Sequence, residues 1–266
     1  MNRLLRALGS CIALFSASLA TVGAQTYHVT KTYMLGGDGG WDYIALDTVG
    51  HRLFVARQTR VMVIDPESGK LLAEIPGLNR AHGVAFSYAT GRGFATSGGD
   101  SSVVIFDLKS LQVLGRTTAA VDADAVLFDA ATKRIYTFNG DAGSSSVIDP
   151  ASGQRVGSID LGGKPEFAVS NGDGKLFVNL EDSSMVAEID PAAMKVTRRW
   201  SLAPCQSPSG LAIDRAHNRL FSGCRNQVMA ISDASAGKLL TTVPIGQGVD
   251  ACRFDPGTQL AFASNG

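Results

Sequence analysis

The sequence predicts an all-β protein built as a β-propeller of the seven-bladed type, with four-stranded antiparallel blades. Three observations predict it: a unit that recurs six times at intervals of 40 to 44 residues, four short strand patterns in each complete unit, and no helical period after the first 24 residues. Four strands in a repeat of this length are typical of a propeller blade. A solenoid of stacked repeats is the alternative.

Three markers keep the repeats in register. An aromatic residue lies in the second strand pattern of each unit, at Phe54, Phe94, Tyr136, Phe177, Phe221 and Phe262. Seven residues earlier, an Asp or Ser ends the first strand pattern, at Asp47, Ser87, Asp129, Ser170, Asp214 and Asp255. An Asp that opens the turn before the fourth strand follows the aromatic residue by 11 to 13 residues, at Asp65, Asp107, Asp149, Asp190 and Asp233. Period-two runs of valine, isoleucine and aromatic residues between such turns indicate strands.

The two ends of the chain predict an incomplete ring. Residues 27–34 match a fourth strand, so we expect an N-terminal strand that closes the last blade. Five full blades and two strands of a sixth follow it. A seven-bladed ring would need about 60 further residues at this repeat length, and we therefore expect the sequence to be C-terminally truncated. The alternative is a naturally short, open propeller, whose bare strand edges would risk aggregation.

The first 24 residues predict export. Arg3 and Arg6 precede an apolar run, and Val22-Gly23-Ala24 forms a small-x-small cleavage signal, so residues 1–24 are interpreted as a signal peptide and 25–266 as the propeller domain. The apolar run is shorter than the roughly 20 residues that cross a bilayer, so no transmembrane segment is expected after cleavage. The sequence thus predicts a periplasmic or secreted protein.

Charge argues against a nucleic-acid partner. The mature chain keeps 22 basic and 24 acidic residues, a net charge of about −2, and its lysines and arginines are scattered along the sequence. Proteins that bind nucleic acid through phosphate contacts usually carry a basic stripe. We expect instead a monomer whose partner is an unknown protein or a small polar ligand.

The repeats also resemble the YVTN-type propeller repeats of exported bacterial proteins, the YncE-like group. The shared pattern is an apolar strand ending in Asp or Ser, a turn, Leu/Ile-Phe/Tyr-Val-x-Asn, and a valine-rich strand ending in Asp-Pro, and it runs from about Tyr27 to Gly266. The Asn of the signature is present only at Asn139 and Asn265. The resemblance implies a seven-bladed propeller that binds partners. Relatives with similar repeats include lactonase-type enzymes and dehydrogenase subunits, so the fold alone does not fix an activity.

No catalytic motif accompanies the repeats. The glycine-rich run of residues 36–40 has no Lys-Ser/Thr after it, and the turn of residues 171–175 lacks the downstream Glu of a calcium loop. His28, His51 and His217 are isolated from one another in sequence. No nucleophile elbow, zinc-type His pair or Cys-x-x-Cys occurs, and no catalytic residue is therefore predicted.

Aligned repeats do place polar residues at one position. Five residues before the Asp or Ser that ends each first strand lie Asp42, His82, Asp124, Pro165, Ser209 and Asp250, with Glu166 one residue out of register. In a propeller this strand lines the central channel, so these positions are expected to meet at the channel mouth. Crowded carboxylates favour a bound cation or raised pKa values. The alternative is that these groups only cap strands and bind loops.

These observations predict an exported binding or interaction module that uses its loop face and channel mouth. The expected ligand-binding residues are Asp42, His82, Asp124, Glu166, Ser209 and Asp250, and a divalent cation such as calcium is a possible cofactor. The rival hypothesis is a lactonase-like hydrolase with a divalent cation in the channel. That enzyme would be purified with its metal and would lose activity on chelation, whereas the binding module would show no turnover.

Three of the four cysteines, Cys205, Cys224 and Cys252, lie in the predicted propeller domain. Cys205 precedes the fifth repeat's first strand and Cys224 ends its second, so antiparallel strands bring both to the same face. An exported protein meets an oxidising compartment, where such a pair normally forms a disulfide. We therefore predict a Cys205–Cys224 disulfide and leave Cys252 as a buried free thiol.

Overall fold

The computed structural model describes residues 27–266. The chain divides into two compact units, Met1–Tyr33 and Met34–Gly266, of which the second contains all the strands described below. The predicted signal peptide lies outside the described residues. Residues 27–34 form no strand, so the predicted N-terminal closing strand is not present. Val29 and Met34 are 82% and 93% exposed.

The described part of the chain contains twenty β-strands and two short 3₁₀ turns, Tyr88–Thr90 and Gly98–Asp100. The strands are β1 (Ile44–Asp47), β2 (Arg52–Ile64), β3 (Leu71–Ser87), β4 (Arg92–Ser97), β5 (Ser102–Asp107), β6 (Val113–Thr118), β7 (Ala123–Asp129), β8 (Arg134–Asn139), β9 (Ser144–Ile148), β10 (Arg155–Asp160), β11 (Pro165–Ser170), β12 (Leu176–Leu180), β13 (Met185–Asp190), β14 (Lys195–Ser201), β15 (Pro208–Asp214), β16 (Arg219–Cys224), β17 (Val228–Asp233), β18 (Lys238–Pro244), β19 (Cys252–Asp255) and β20 (Leu260–Ala263).

The strands pair as the repeats predict. The third, fourth and fifth repeats each form a four-stranded antiparallel sheet, β7 to β10, β11 to β14 and β15 to β18, with neighbours in chain order. The sixth unit contributes the two-stranded sheet of β19 and β20. Consecutive antiparallel strands joined by short turns are the geometry of a propeller blade. The all-β, propeller-like prediction is confirmed at this level.

The first two repeats differ from the prediction because they share strands. They form one six-stranded sheet, β1 to β6, in which β2 and β3 each cover two predicted strands. The first part of β3 pairs with β2, from Arg60↔Pro76 to Ile64↔Leu71. Its second part pairs with β4, from Ala81↔Ser97 to Ser87↔Arg92. The fourth strand of repeat one therefore continues directly into the first strand of repeat two.

The recurrent Asp residues are explained by turn chemistry. The Asp47 carboxylate accepts hydrogen bonds from the backbone N–H groups of Val49 and Gly50 and from the Arg52 side chain. Asp129 accepts a hydrogen bond of 2.7 Å from Ser170, the equivalent residue of the next repeat. Asp and Ser side chains satisfy turn N–H groups in this way. The marker thus closes a turn and, at Asp129, joins neighbouring sheets.

The aromatic marker lies in the cores between sheets. Phe54, Phe94 and Tyr136 are fully buried, and Phe177 is 2% exposed, whereas Phe262 in the last hairpin is 38% exposed. First strands of successive repeats lie side by side, with β7 between β3 and β11, and with β15 between β11 and β19. The Tyr43 ring also contacts the ring of Phe167 on β11, 5.0 Å between centroids. The first strands therefore lie next to one another in chain order, and we call the space beside them, where Tyr43 meets Phe167, the channel. In the described residues no helix is long and apolar enough to span a bilayer.

Candidate functional site at the channel mouth

The predicted site residues lie where the first strands are irregular. In four repeats the pairing with the second strand shifts register at the same place, between Ala81 and Val84, Ala123 and Val126, Pro165 and Ala168, and Pro208 and Leu211. The first residues inside these four shifts are, in the same order, His82, Asp124, Glu166 and Ser209. Glu166 is therefore equivalent to His82 and Asp124, and Pro165 precedes that position. Counting back five residues from the terminal Ser170 reached Pro165 instead, because this first strand has three residues after the shift, Ala168–Ser170, where the equivalent strand has four, Val84–Ser87. Such bulges re-aim side chains beside functional sites.

The remaining two predicted residues precede the first strands of their repeats. Asp42 lies two residues before β1, and its backbone N–H donates a hydrogen bond of 3.1 Å to the carbonyl of Ala56. Asp250 lies two residues before β19, and its N–H donates one of 3.2 Å to the carbonyl of Ser264. Each is thus held by the second strand of its own repeat. Both side chains belong to the same end of the channel as the bulged residues.

Three side chains from three repeats meet at the mouth. His82 Nδ1 lies 2.6 Å from Asp42 Oδ2 and 3.5 Å from Asp124 Oδ1. One ligand atom from each of these residues lies within 4.8 Å of the others, a separation that suits a bound metal ion. Asp124 Oδ1 and His82 Nε2 are buried and have no hydrogen-bond partner in the described part of the chain. Buried polar atoms without a partner are costly and rare.

Burial and crowding change the ionisation of these groups. Burial raises the pKa of Asp124 to about 7; His82 opposes this shift, and the charges of Asp42 and Asp250 add to it. Burial lowers the pKa of His82, but the hydrogen bond to Asp42 and the charge of Asp124 outweigh it, so the pKa of His82 is raised. Burial and the charge of Asp42 also raise the pKa of Asp250. The mouth therefore favours a positive charge and resists a further negative one.

Glu166 and Ser209 extend the cluster. Burial, a hydrogen bond with Glu181 and the charge of Asp124 raise the pKa of Glu166 to about 8, so this carboxyl keeps its proton at neutral pH. Ser209 Oγ donates a hydrogen bond of 2.9 Å to the backbone carbonyl of Asp250. Glu181 is paired at 3.0 Å with both Lys164 and Arg225. Ion pairs of Glu181 with Lys164 and Arg225 thus adjoin the protonated Glu166.

The raised pKa of Glu166 predicts a stability that falls with pH. The unfolded chain loses this proton near its ordinary pKa, whereas the folded protein keeps it to about 8, so stability decreases between those values as pH rises. Glu166→Gln keeps a donor for Glu181 and removes the titration. We expect it to raise the melting temperature by about 4 to 8 °C at about pH 9 and to leave it unchanged at about pH 4.5.

Thermal melts at both pH values measure this effect, with Asp173→Asn as the control, because Asp173 lies exposed in the turn between β11 and β12. An equal shift at both pH values would show that the gain does not come from the carboxyl proton.

Tyr43, which follows Asp42, is a further residue of the site that the sequence does not indicate. Burial, together with the charges of Asp124 and Asp250, raises the pKa of the Tyr43 hydroxyl, which places this group in the field of the acidic cluster. A cavity of about 450 Å³ is lined by Asp42, Tyr43, Phe167 and Asp250, among other residues. In the sequence Tyr43 has the pattern of an ordinary apolar strand residue. Its place at the channel mouth follows only from its ring contact with Phe167.

Comparisons with known proteins identify the fold and no more. No model of a protein family matches the chain, and no curated protein matches its sequence. The hydrazine synthase of Kuenenia stuttgartiensis has a similar structure, with a TM-score of 0.62 and 16% sequence identity over 90% of this chain and 96% of that chain. It is one of 1673 solved chains that match. A fold this widespread does not specify an activity.

Proposed function

We propose that the protein is an exported binding module that holds a divalent metal ion at the channel mouth. The arrangement of Asp42, His82 and Asp124 carries this proposal: two carboxylates and an imidazole from three repeats converge within the reach of one ion. The buried Oδ1 of Asp124 has no hydrogen-bond partner among the described residues, and a cation would satisfy it. A bound ion would also offset the repulsion that raises the pKa values of Asp124 and Asp250.

The ligand set suits a divalent ion of intermediate character. Carboxylate oxygens bind calcium and manganese well, whereas an imidazole favours zinc and similar transition metals. His82 Nδ1 would exchange its hydrogen bond with Asp42 for the ion. Three protein ligands leave coordination positions open, and these would face the channel, where a polar group of a partner can complete the shell. The predicted signal peptide and the Cys205–Cys224 disulfide support a periplasmic or secreted location for this module.

Calorimetric titration with Ca²⁺, Mn²⁺ and Zn²⁺ tests the proposal. The wild-type protein should bind at least one of these ions, and Asp124→Ala should weaken that binding at least a hundredfold because it removes a ligand. Asp250→Ala should weaken it about tenfold through the lost charge. Neither variant should lower the melting temperature, since each relieves repulsion.

Asp173→Ala is the matched control, because it removes one exposed carboxylate at the opposite end of the strands and should leave the affinity unchanged. If Asp124→Ala and Asp250→Ala lower the melting temperature while ion binding is preserved, these residues are strand caps and the proposal is wrong.

A further inference from the structure

Arg253 is a cation on a first strand at a position where the other repeats carry none. Arg253 lies on β19, two residues before Asp255, and the same position in the other five repeats holds only apolar residues: Ala45, Ala85, Leu127, Ala168 and Ala212. Its guanidinium carbon lies over the ring of Phe167, 5.4 Å from the ring centroid. No carboxylate pairs with it within residues 27–266, although the channel mouth is rich in carboxylates.

The surroundings of Arg253 form a space for a small molecule. Arg253 lines the cavity of about 450 Å³ that also touches Asp42, Tyr43 and Phe167, and it lines a second cavity of about 540 Å³ beside Ala168 and Ala212. Both volumes are in the range of small-molecule sites. The surrounding protein lowers the pKa of Arg253 while the side chain stays accessible to solvent. The guanidinium is therefore partly desolvated and still open to a ligand.

The chemistry of this place selects a carboxylate. A guanidinium offers a planar fork of donors that matches carboxylate or phosphate oxygens. Asp42 and Asp250 line the same cavity, so a singly charged carboxylate is repelled less than a doubly charged phosphate. The Phe167 face, with the exposed rings of Trp41 and Phe262 on the cavity wall, provides an apolar surface for the rest of the ligand.

We propose that Arg253 and Phe167 form a carboxylate-binding subsite inside the channel, which takes a small organic acid with an apolar body. The carboxylate accepts hydrogen bonds from the Arg253 fork, and the apolar body packs against Phe167. This subsite goes beyond the cation site and uses none of its three ligand residues. Partial burial of the Arg253 guanidinium costs desolvation free energy. A cation–π contact with a phenylalanine ring offsets only about 0.5 to 1 kcal/mol of that cost.

Titration calorimetry with 3-phenylpropionate tests the subsite on the full mature chain. The wild-type protein should bind this acid at least tenfold more tightly than the neutral 3-phenylpropanamide, because only the acid pairs with the guanidinium. Arg253→Gln should remove that preference, and Arg253→Lys should restore part of it without the bidentate fork. Arg155→Gln, the same change of charge on the outer strand β10, should leave both affinities unchanged.

Three outcomes would overturn the subsite: no binding of the acid by the wild-type protein, equal binding of acid and amide, or an Arg253→Gln variant that keeps the preference. Melting temperatures of the variants are measured alongside, and Arg253→Gln should match the wild type because it removes no ion pair. A protein that binds the acid through Arg253 but no metal ion would contradict the proposed function and support this subsite.

Discussion

Replacing Gly210 with alanine should destabilise the protein by about 2 to 3 kcal/mol and lower its melting temperature by about 5 to 10 °C. Gly210 lies inside the register shift of β15, and a methyl group there would be 2.5 Å from the backbone N of Cys252 and from the backbone C of Ala251. Backbone atoms of a neighbouring first strand cannot rotate away as a side chain can. The two strands would have to separate, which loosens the contact between the fifth and sixth units.

Gly115→Ala is the matched control for this experiment. Gly115 also lies in a strand, β6, but an added methyl group would meet no atom within 4 Å. We expect it to leave stability unchanged or to raise it slightly, because alanine restricts the unfolded chain more than glycine does. Thermal and urea unfolding of both variants measure the difference. Equal stabilities would mean that β15 and β19 do not approach each other as closely as described.

Loss of the Cys205–Cys224 disulfide should be the other large effect. The predicted bond is confirmed: the two sulfurs are joined across a sequence separation of 19 residues, and both residues are buried. Closing a loop of this length stabilises the folded state by about 3 kcal/mol in the chain-entropy model. The double substitution Cys205→Ala and Cys224→Ala should therefore lower the melting temperature by about 6 to 12 °C.

Reducing agent should lower the melting temperature of the wild type by a similar amount and leave the double variant unchanged. Thiol counting on the mature, denatured protein should find one free group before reduction, because Cys252 is the free cysteine of residues 27–266, and three after it. Three reactive thiols in the untreated protein would show that the bond does not form. Burial raises the pKa of the Cys252 thiol to about 11, so this group should not react in the folded state.

The repeat made most of the fold predictable. The aromatic and Asp or Ser markers report burial and turn chemistry, which are local properties, so they locate strands without any knowledge of the third dimension. These local markers fail at β2 and β3, because each of these strands runs through a break that the sequence predicts between two shorter strands. Gln58, between the predicted second and third strands of repeat one, pairs with Ala81 of repeat two, and such a long-range pairing leaves no local signal.

The site was predictable only as far as equivalence between repeats holds. Alignment brought Asp42, His82 and Asp124 to one place because each lies five residues before the Asp or Ser that ends a first strand. It misplaced Glu166 because the first strand of the fourth repeat has one residue fewer between the register shift and Ser170, and a single missing residue leaves the apolar pattern of the strand unchanged. Arg253 carried a signal that was overlooked: it is the one charged residue at a position that is otherwise Ala or Leu. Tyr43 carried none, since its role depends on Phe167 three repeats away.

Each bulged position contributes one side chain to the mouth, while the cores that hold the sheets together lie on the other residues of the same strands. The repeat thus offers several equivalent positions for polar side chains outside the apolar cores. His82, Asp124, Glu166 and Ser209 occupy four of these positions. Recognition by such a ring can diversify one position at a time, so closely similar scaffolds can come to serve unrelated ligands.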